Sequence, residues 1–98
     1  MADTEPALAG IRTAIDELDA EIVGLLARRA DLVRQAAPLK SDRQAVRAPE
    51  RVAQVVARVR ALAGAAGADP DLIERIYRGM IQAFIDMETV EHHRVSGD

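Results

Sequence analysis

Arg29 stands where an apolar residue belongs. It lies seven residues after Ile22 and three before Leu32, in line with an apolar stripe. A guanidinium on such a stripe must meet an anion, because an unpaired buried charge is very costly. Lys40 follows eleven residues later, about three helical turns, so on a continuous helix it faces the same way as Arg29. Two cations on one side suit a bound anion. A structural alternative remains open, in which Arg29 snorkels its head to water and Lys40 is a solvated end residue.

Glu88 is the second breach of pattern, four residues after Phe84 and seven after Ile81 on an apolar helical face. Protonated, a carboxyl there donates a hydrogen bond and can meet charge developing on a substrate oxygen. Ionised, it pairs with Arg29 or Lys40, or bends out to water at a helix end. Arg12 flanks the first stripe near its start. Seventeen residues separate it from Arg29, about 25 Å along a helix. One small ligand cannot touch both on one straight helix, but across an antiparallel dimer it could. Locally, Arg12 could equally pair with Asp16 for about 0.3–0.5 kcal/mol.

The elements that carry these residues read as three helices: one long, two of medium length. Thr4 or Glu5 can open the first, with Pro6 in its first turn. Apolar positions Ile11, Ile15, Leu18, Ile22 and Leu25, then Leu32, Ala36 and Leu39, form a heptad seam reaching about Lys40. A helix from Pro6 to Lys40 is roughly 50 Å long, and so few remaining residues cannot cover it. A partner subunit is the simplest cover. Pro38 is a local anomaly that predicts a kink or an end to this helix, and leaves open whether Lys40 is displaced.

Ser41 to Ala48 reads as a charged loop. Pro49 then starts a second helix with Val52, Val55, Val56, Val59, Leu62 and Ala66 on one face, ended by the Gly64 to Gly67 region. Asp69-Pro70 signals the third, Asp as N-cap and Pro in the first turn. It carries Leu72, Ile73, Ile76, Tyr77, Met80, Ile81, Phe84 and Ile85, and its tail from about His92 is expected to fray. Tyr77 and Phe84 read as core rather than a stacking platform. Asp16, Glu17, Asp19 and Glu21 read as a solvated face.

Bulk properties limit the function classes. A chain of 98 residues, 49% hydrophobic and 30% charged, is expected to be one globular domain over residues 1–98, with a core of about 7–91. Aromatics at 2% leave a core of small aliphatics, thin for a monomer. A net charge of −3 opposes nucleic acid and acidic membrane surfaces. The chain has no cysteine, hence no disulfide or thiolate nucleophile. Adjacent His92 and His93 lack the spacing of a helical metal pair, so no metal site is expected. No export leader or membrane-spanning run is read, and the expectation is a cytoplasmic protein.

The ordered set Ile-Arg-x-x-Ile-Asp-x-Leu-Asp (Ile11 to Asp19), Leu-Leu-Ala-Arg-Arg (Leu25 to Arg29) and Lys40 resembles the all-helical (type II) chorismate mutases. The segment Ala48-Pro49-Glu50-Arg51-Val52-Ala53 resembles the isochorismate pyruvate lyase branch of that family. The likeness runs from about Ala7 to Glu91. It implies an all-α fold, an intertwined homodimer of paired long helices, and two active sites that each borrow an arginine from the neighbour. Arg12, from the partner subunit, would grip one substrate carboxylate and Arg29 the other. Lys40 would contact the ether oxygen and a carboxylate, Arg51 would add positive charge, and Glu88 would donate a hydrogen bond to the ether oxygen. The substrate implied is a small dicarboxylate, chorismate or isochorismate, and the reaction is pericyclic with no cofactor.

Two positions depart from the mutase pattern. Mutases commonly carry acidic residues at the positions of Ala48 and Val52; both are apolar here, as in the lyase branch. Lyase relatives typically have Gln where this chain has Glu88. The expected activity is chorismate mutase, giving prephenate, with isochorismate pyruvate lyase, giving salicylate plus pyruvate, as the alternative. An aminodeoxychorismate mutase is a fainter third reading, since a ring ammonium wants the carboxylate that Val52 lacks. The non-enzymatic alternative is a helical dimerisation module whose seam charges set register. A helix-turn-helix nucleic-acid binder is disfavoured by the acidic balance and the long first helix.

Overall fold

The computed structural model describes residues 4–40, 45 and 47–96. Among them are three long helices and no strand: α1 (Thr4–Ala36), α2 (Pro49–Ala65) and α3 (Pro70–Ser96). The chain falls into two compact units, one reaching Leu32 and the other beginning at Val33. Each is described by itself.

The first unit is nearly all α1. Its start at Thr4 puts Pro6 in the first turn, where a missing N–H costs nothing. The heptad seam is there, but Ile11, Ile15, Leu18, Ile22 and Leu25 are 49–59% exposed. Asp16, Glu17, Asp19 and Glu21 are exposed, as a solvated face requires.

In the second unit α1 ends at Ala36, short of the expected Lys40. Pro38 has no N–H to give and its ring would collide with the Arg34 carbonyl, so the α-helix cannot pass through it. The chain tightens instead into a 3-10 turn, Ala37–Leu39. Lys40 N–H donates to Ala37 O at 3.3 Å, and its own backbone is extended (φ −88°, ψ 138°). The helical register that set Lys40 on the side of Arg29 therefore does not extend to Lys40. Of the segment read as a loop, Ser41 to Gln44 and Val46 lie outside the described residues. Ala45 and Arg47 are helical, which corrects part of that reading.

Helix α2 begins at Pro49 behind Ala48, which lies in the left-handed region (φ 38°) and has no side chain able to cap. It closes at Ala65 on a Schellman motif. Gly67, at φ 76°, lets Ala68 N–H reach Ala63 O at 2.8 Å and Gly67 N–H reach Gly64 O at 3.2 Å. Asp69 then caps α3 as expected: its Oδ1 accepts from Asp71 N–H at 2.9 Å. The short connection makes α2 and α3 a helical hairpin, and the 3-10 turn packs on α3 as well.

The core of this unit is Val56, Val59 and Ala63 of α2, Ile81 of α3 and Ala37 of the 3-10 turn. Its α2 stripe runs i, i+3, i+7. Leu62 lies about 100° around the helix from Ala63 and is exposed, as is Ala66, which falls beyond the helix; both were expected in the apolar face. Leu72 and Ile76 are likewise exposed, because α3 turns Tyr77, Ile81, Phe84 and Ile85 inward instead. Tyr77 and Phe84 are half-buried. The helix runs past His92 to Ser96, with neither Gly nor Pro between those two residues.

Polar contacts staple the hairpin at its turn end. Arg60 of α2 donates from Nη1 to Asp71 Oδ1 and Glu74 Oε1, both at 2.9 Å, and Arg78 Nε donates to Glu74 Oε2 at 2.7 Å. The hydrogen bond from Arg78, with a further one from Arg60, holds the Glu74 carboxyl below its ordinary value. The Asp71 and Glu74 bonds push the Arg60 guanidinium up. Nothing in the sequence reading singled out this cluster, although Glu74 and Arg78 stand at the i,i+4 spacing that favours pairing.

Candidate active site

Pro38 and Ala37 build one half of the site. The 3-10 turn forced by Pro38 lays Ala37 against the hairpin with no exposed surface. Lys40 leaves that anchored turn in an extended conformation, with its side chain 28% exposed.

Helix α3 supplies the other half. Glu88 continues the inward stripe of Ile81, Phe84 and Ile85, and is 4% exposed. It does not bend out to water. Its Oε1 forms an ion pair with Lys40 Nζ, the pairing left open among the sequence alternatives. That same oxygen is fully buried and accepts no hydrogen bond of good geometry, so the lysine charge is its compensation. Lys40 is accordingly not a solvated helix end.

The remaining expected residues take up separate positions. Arg51, in the first turns of α2, is exposed and lines an open depression with Ala48, Pro49, Glu50 and Gln54. Ala48 and Val52 are half-buried apolar side chains beside it in sequence. Arg29 is half-buried and Arg12 exposed, both in the first unit. The second unit thus brings Lys40 and Glu88 together on its own. Sequence reasoning missed Ala37, whose burial seats the turn that carries Lys40; the signal available was its place directly before Pro38.

This arrangement can do charge chemistry. Among the described residues there is no group of three or more His, Cys, Asp or Glu side chains able to hold a metal ion. An ammonium beside a buried carboxyl can bind a carboxylate, or stabilise negative charge growing on an oxygen in a site shielded from water. Among the described residues, no helix is long and apolar enough to cross a membrane.

Comparison with known proteins agrees with that chemistry. The family model described as chorismate mutase type II matches residues 11–89. The chain is 38% identical over 78 residues to an isochorismate pyruvate lyase of Pseudomonas aeruginosa, covering 80% of this chain and 77% of that one. It is 37% identical over 76 residues to the T-protein of Enterobacter agglomerans, covering 76% of this chain but only 20% of that longer protein. The chain belongs to the chorismate mutase type II family.

Proposed function

We propose that this protein is a cofactor-free pericyclic enzyme, a chorismate mutase converting chorismate to prephenate, acting through one chorismate mutase-like domain. The observation that carries the reading is the meeting of Lys40 with buried Glu88 in a family member whose match spans residues 11–89. In the reaction the C–O bond of the enolpyruvyl ether breaks as a C–C bond forms. The ether oxygen gains negative charge in the transition state. Lys40 stabilises that charge as a preset cation, and Glu88, in its protonated form, adds a hydrogen bond to the same oxygen. Arg29 and Arg12 grip the two carboxylates and hold the side chain over the ring. Arg51 adds positive charge near the start of α2.

The enzyme works as an intertwined homodimer in which Arg12 reaches the partner's site. The exposed seam of α1 supports this, since a stripe of Ile and Leu at heptad spacing is the surface that pairs two long helices. Arg12, exposed on the same helix, is available to a neighbouring chain.

A second reading, isochorismate pyruvate lyase, is favoured by one specific observation: Ala48 and Val52 offer no polar group to a ring hydroxyl. The lyase relative from Pseudomonas aeruginosa supports it. One experiment separates the two. Purified protein is incubated with chorismate and, separately, with isochorismate, and the products are identified. Prephenate is expected from chorismate; salicylate plus pyruvate from isochorismate, without prephenate, makes the lyase the main activity. Neither product would leave the chain a dimerisation module and end the enzymatic reading.

A further inference from the structure

The side chain of Pro38 is exposed, as is that of Leu39 after it, so neither adds to the buried core. Their neighbours differ. Ala37 has no exposed surface, and Lys40 is ion-paired with buried Glu88 of α3. Two exposed residues thus join two that the hairpin holds, and the pitch of that join sets where Lys40 is rooted. Apart from Pro38, nothing nearby asks α1 to stop: Gln35, Ala36, Ala37, Leu39 and Lys40 all favour helix. The chain instead makes a 3-10 turn, with Lys40 N–H bonded to Ala37 O at 3.3 Å. From Ala37 to Lys40 such a turn completes about one revolution and advances about 6 Å. An α-helix over the same residues stops about 60° short and advances about 4.5 Å. The proline therefore moves the root of Lys40 about 1.5 Å along the axis and about 60° around it.

We propose that Pro38 is a positioning residue of the active site: it places Lys40 for the reaction by forbidding the helical register that its neighbours favour. The role rests on the reading above that Lys40 stabilises charge on the ether oxygen. It concerns only where the lysine stem is rooted, and so is the same for either form of the Glu88 carboxyl. A lysine rooted elsewhere can still reach the oxygen on its flexible stem, but it no longer rests where the charge develops. A misplacement of about 1 Å can cost on the order of 100-fold in rate, and the flexible stem recovers part of that.

The test compares Pro38→Ala, Pro38→Gly and Lys40→Ala in the full chain, with chorismate and isochorismate as substrates. Alanine permits the α-helix and takes away no buried surface. Far-UV circular dichroism of Pro38→Ala should therefore show more helix, and its urea midpoint should hold or rise. Its kcat should fall about tenfold, with a smaller change in KM because the arginines still grip the carboxylates. Glycine removes the ring but resists helix, so Pro38→Gly should keep more of the wild-type kcat than Pro38→Ala. If the proline served only to stiffen the chain, glycine would be the worse of the two, and that order overturns the role. Pro38→Ala with wild-type kcat, or without added helix, overturns it as well. A loss of kcat matched by a lower urea midpoint makes Pro38 merely structural and does the same. Full turnover by Lys40→Ala is a different failure: it takes the lysine out of the reaction and ends the reading on which the role depends.

Discussion

Val59 of α2 is 6% exposed, whereas Leu18 of α1 is 56% exposed, although each stands in a regular apolar stripe on its helix. The hairpin of α2 and α3 finds its cover nearby in sequence. The Schellman turn at Gly67 and the Asp69 cap fold one helix back along the other, so Val56, Val59 and Ala63 meet α3. Helix α1 carries Ile and Leu where the α2 stripe carries Val and Ala, and hides them less. Amphipathic periodicity therefore states that a face needs cover, but does not say which element supplies it. In the proposed enzyme the uncovered face is what a second copy takes up.

The largest effect should come from attacking the exposed stripe. Replacing Ile15 and Leu18 with Asp puts charges into the seam, where an apolar dimer interface would have to desolvate them. Association measured by analytical ultracentrifugation should weaken at least about 100-fold, and activity should fall with it because Arg12 no longer reaches the neighbouring site. A wild-type protein that sediments as a monomer, or a variant that keeps full activity, would break the contrast between the two regions.

A middle-sized effect is expected in the covered region. Ala37 has no exposed surface, so Ala37→Leu must push apart the 3-10 turn and α3. Overpacking of this kind costs about 1–3 kcal/mol, readable as a lower urea midpoint. Activity should drop further than stability, since Lys40 rides on that turn. A variant with normal stability and kinetics would show that the turn does not seat Lys40.

The smallest effect concerns pH and the polar staple. Glu74 has a folded-state carboxyl held below its ordinary value of 4.5, chiefly by the hydrogen bond from Arg78. The unfolded chain thus takes up the proton first as the solution is acidified. Stability from this group is fully present above 4.5 and is lost as pH falls through the folded-state value below it. Because the cluster is exposed, the contribution is small. Melting temperatures of wild type and Glu74→Gln should differ slightly near neutrality and converge below pH 4.5. A gap that stays constant on acidification would remove Glu74 from the staple.

Much of the architecture was legible in the chain. Pro49, Asp69-Pro70 and the Gly64 to Gly67 region marked helix ends because proline, a capping carboxylate and glycine act locally, within a turn of their own position. The heptad seam of α1 and the misplaced charge of Glu88 were equally visible, since periodicity needs only residue order. Pro38 announced a break as well. Its consequence did not follow from order alone: once α1 stops at Ala36, helical geometry no longer says where Lys40 goes.

That was decided by packing. Whether Glu88 turned to water, met Arg29 or met Lys40 depended on which helix faced its stripe and on where an anchored Ala37 released the chain. The same holds for the burial of Ala63 in place of Leu62, a rotation of α2 that apolar character alone could not choose. Sequence by itself determined the helices, their ends and the charges out of place, because those rest on backbone sterics and local hydrogen bonding. Only the tertiary structure chose the partner of each charge, because an ion pair between residues 40 and 88 is a long-range contact that exists only once the elements between them are packed.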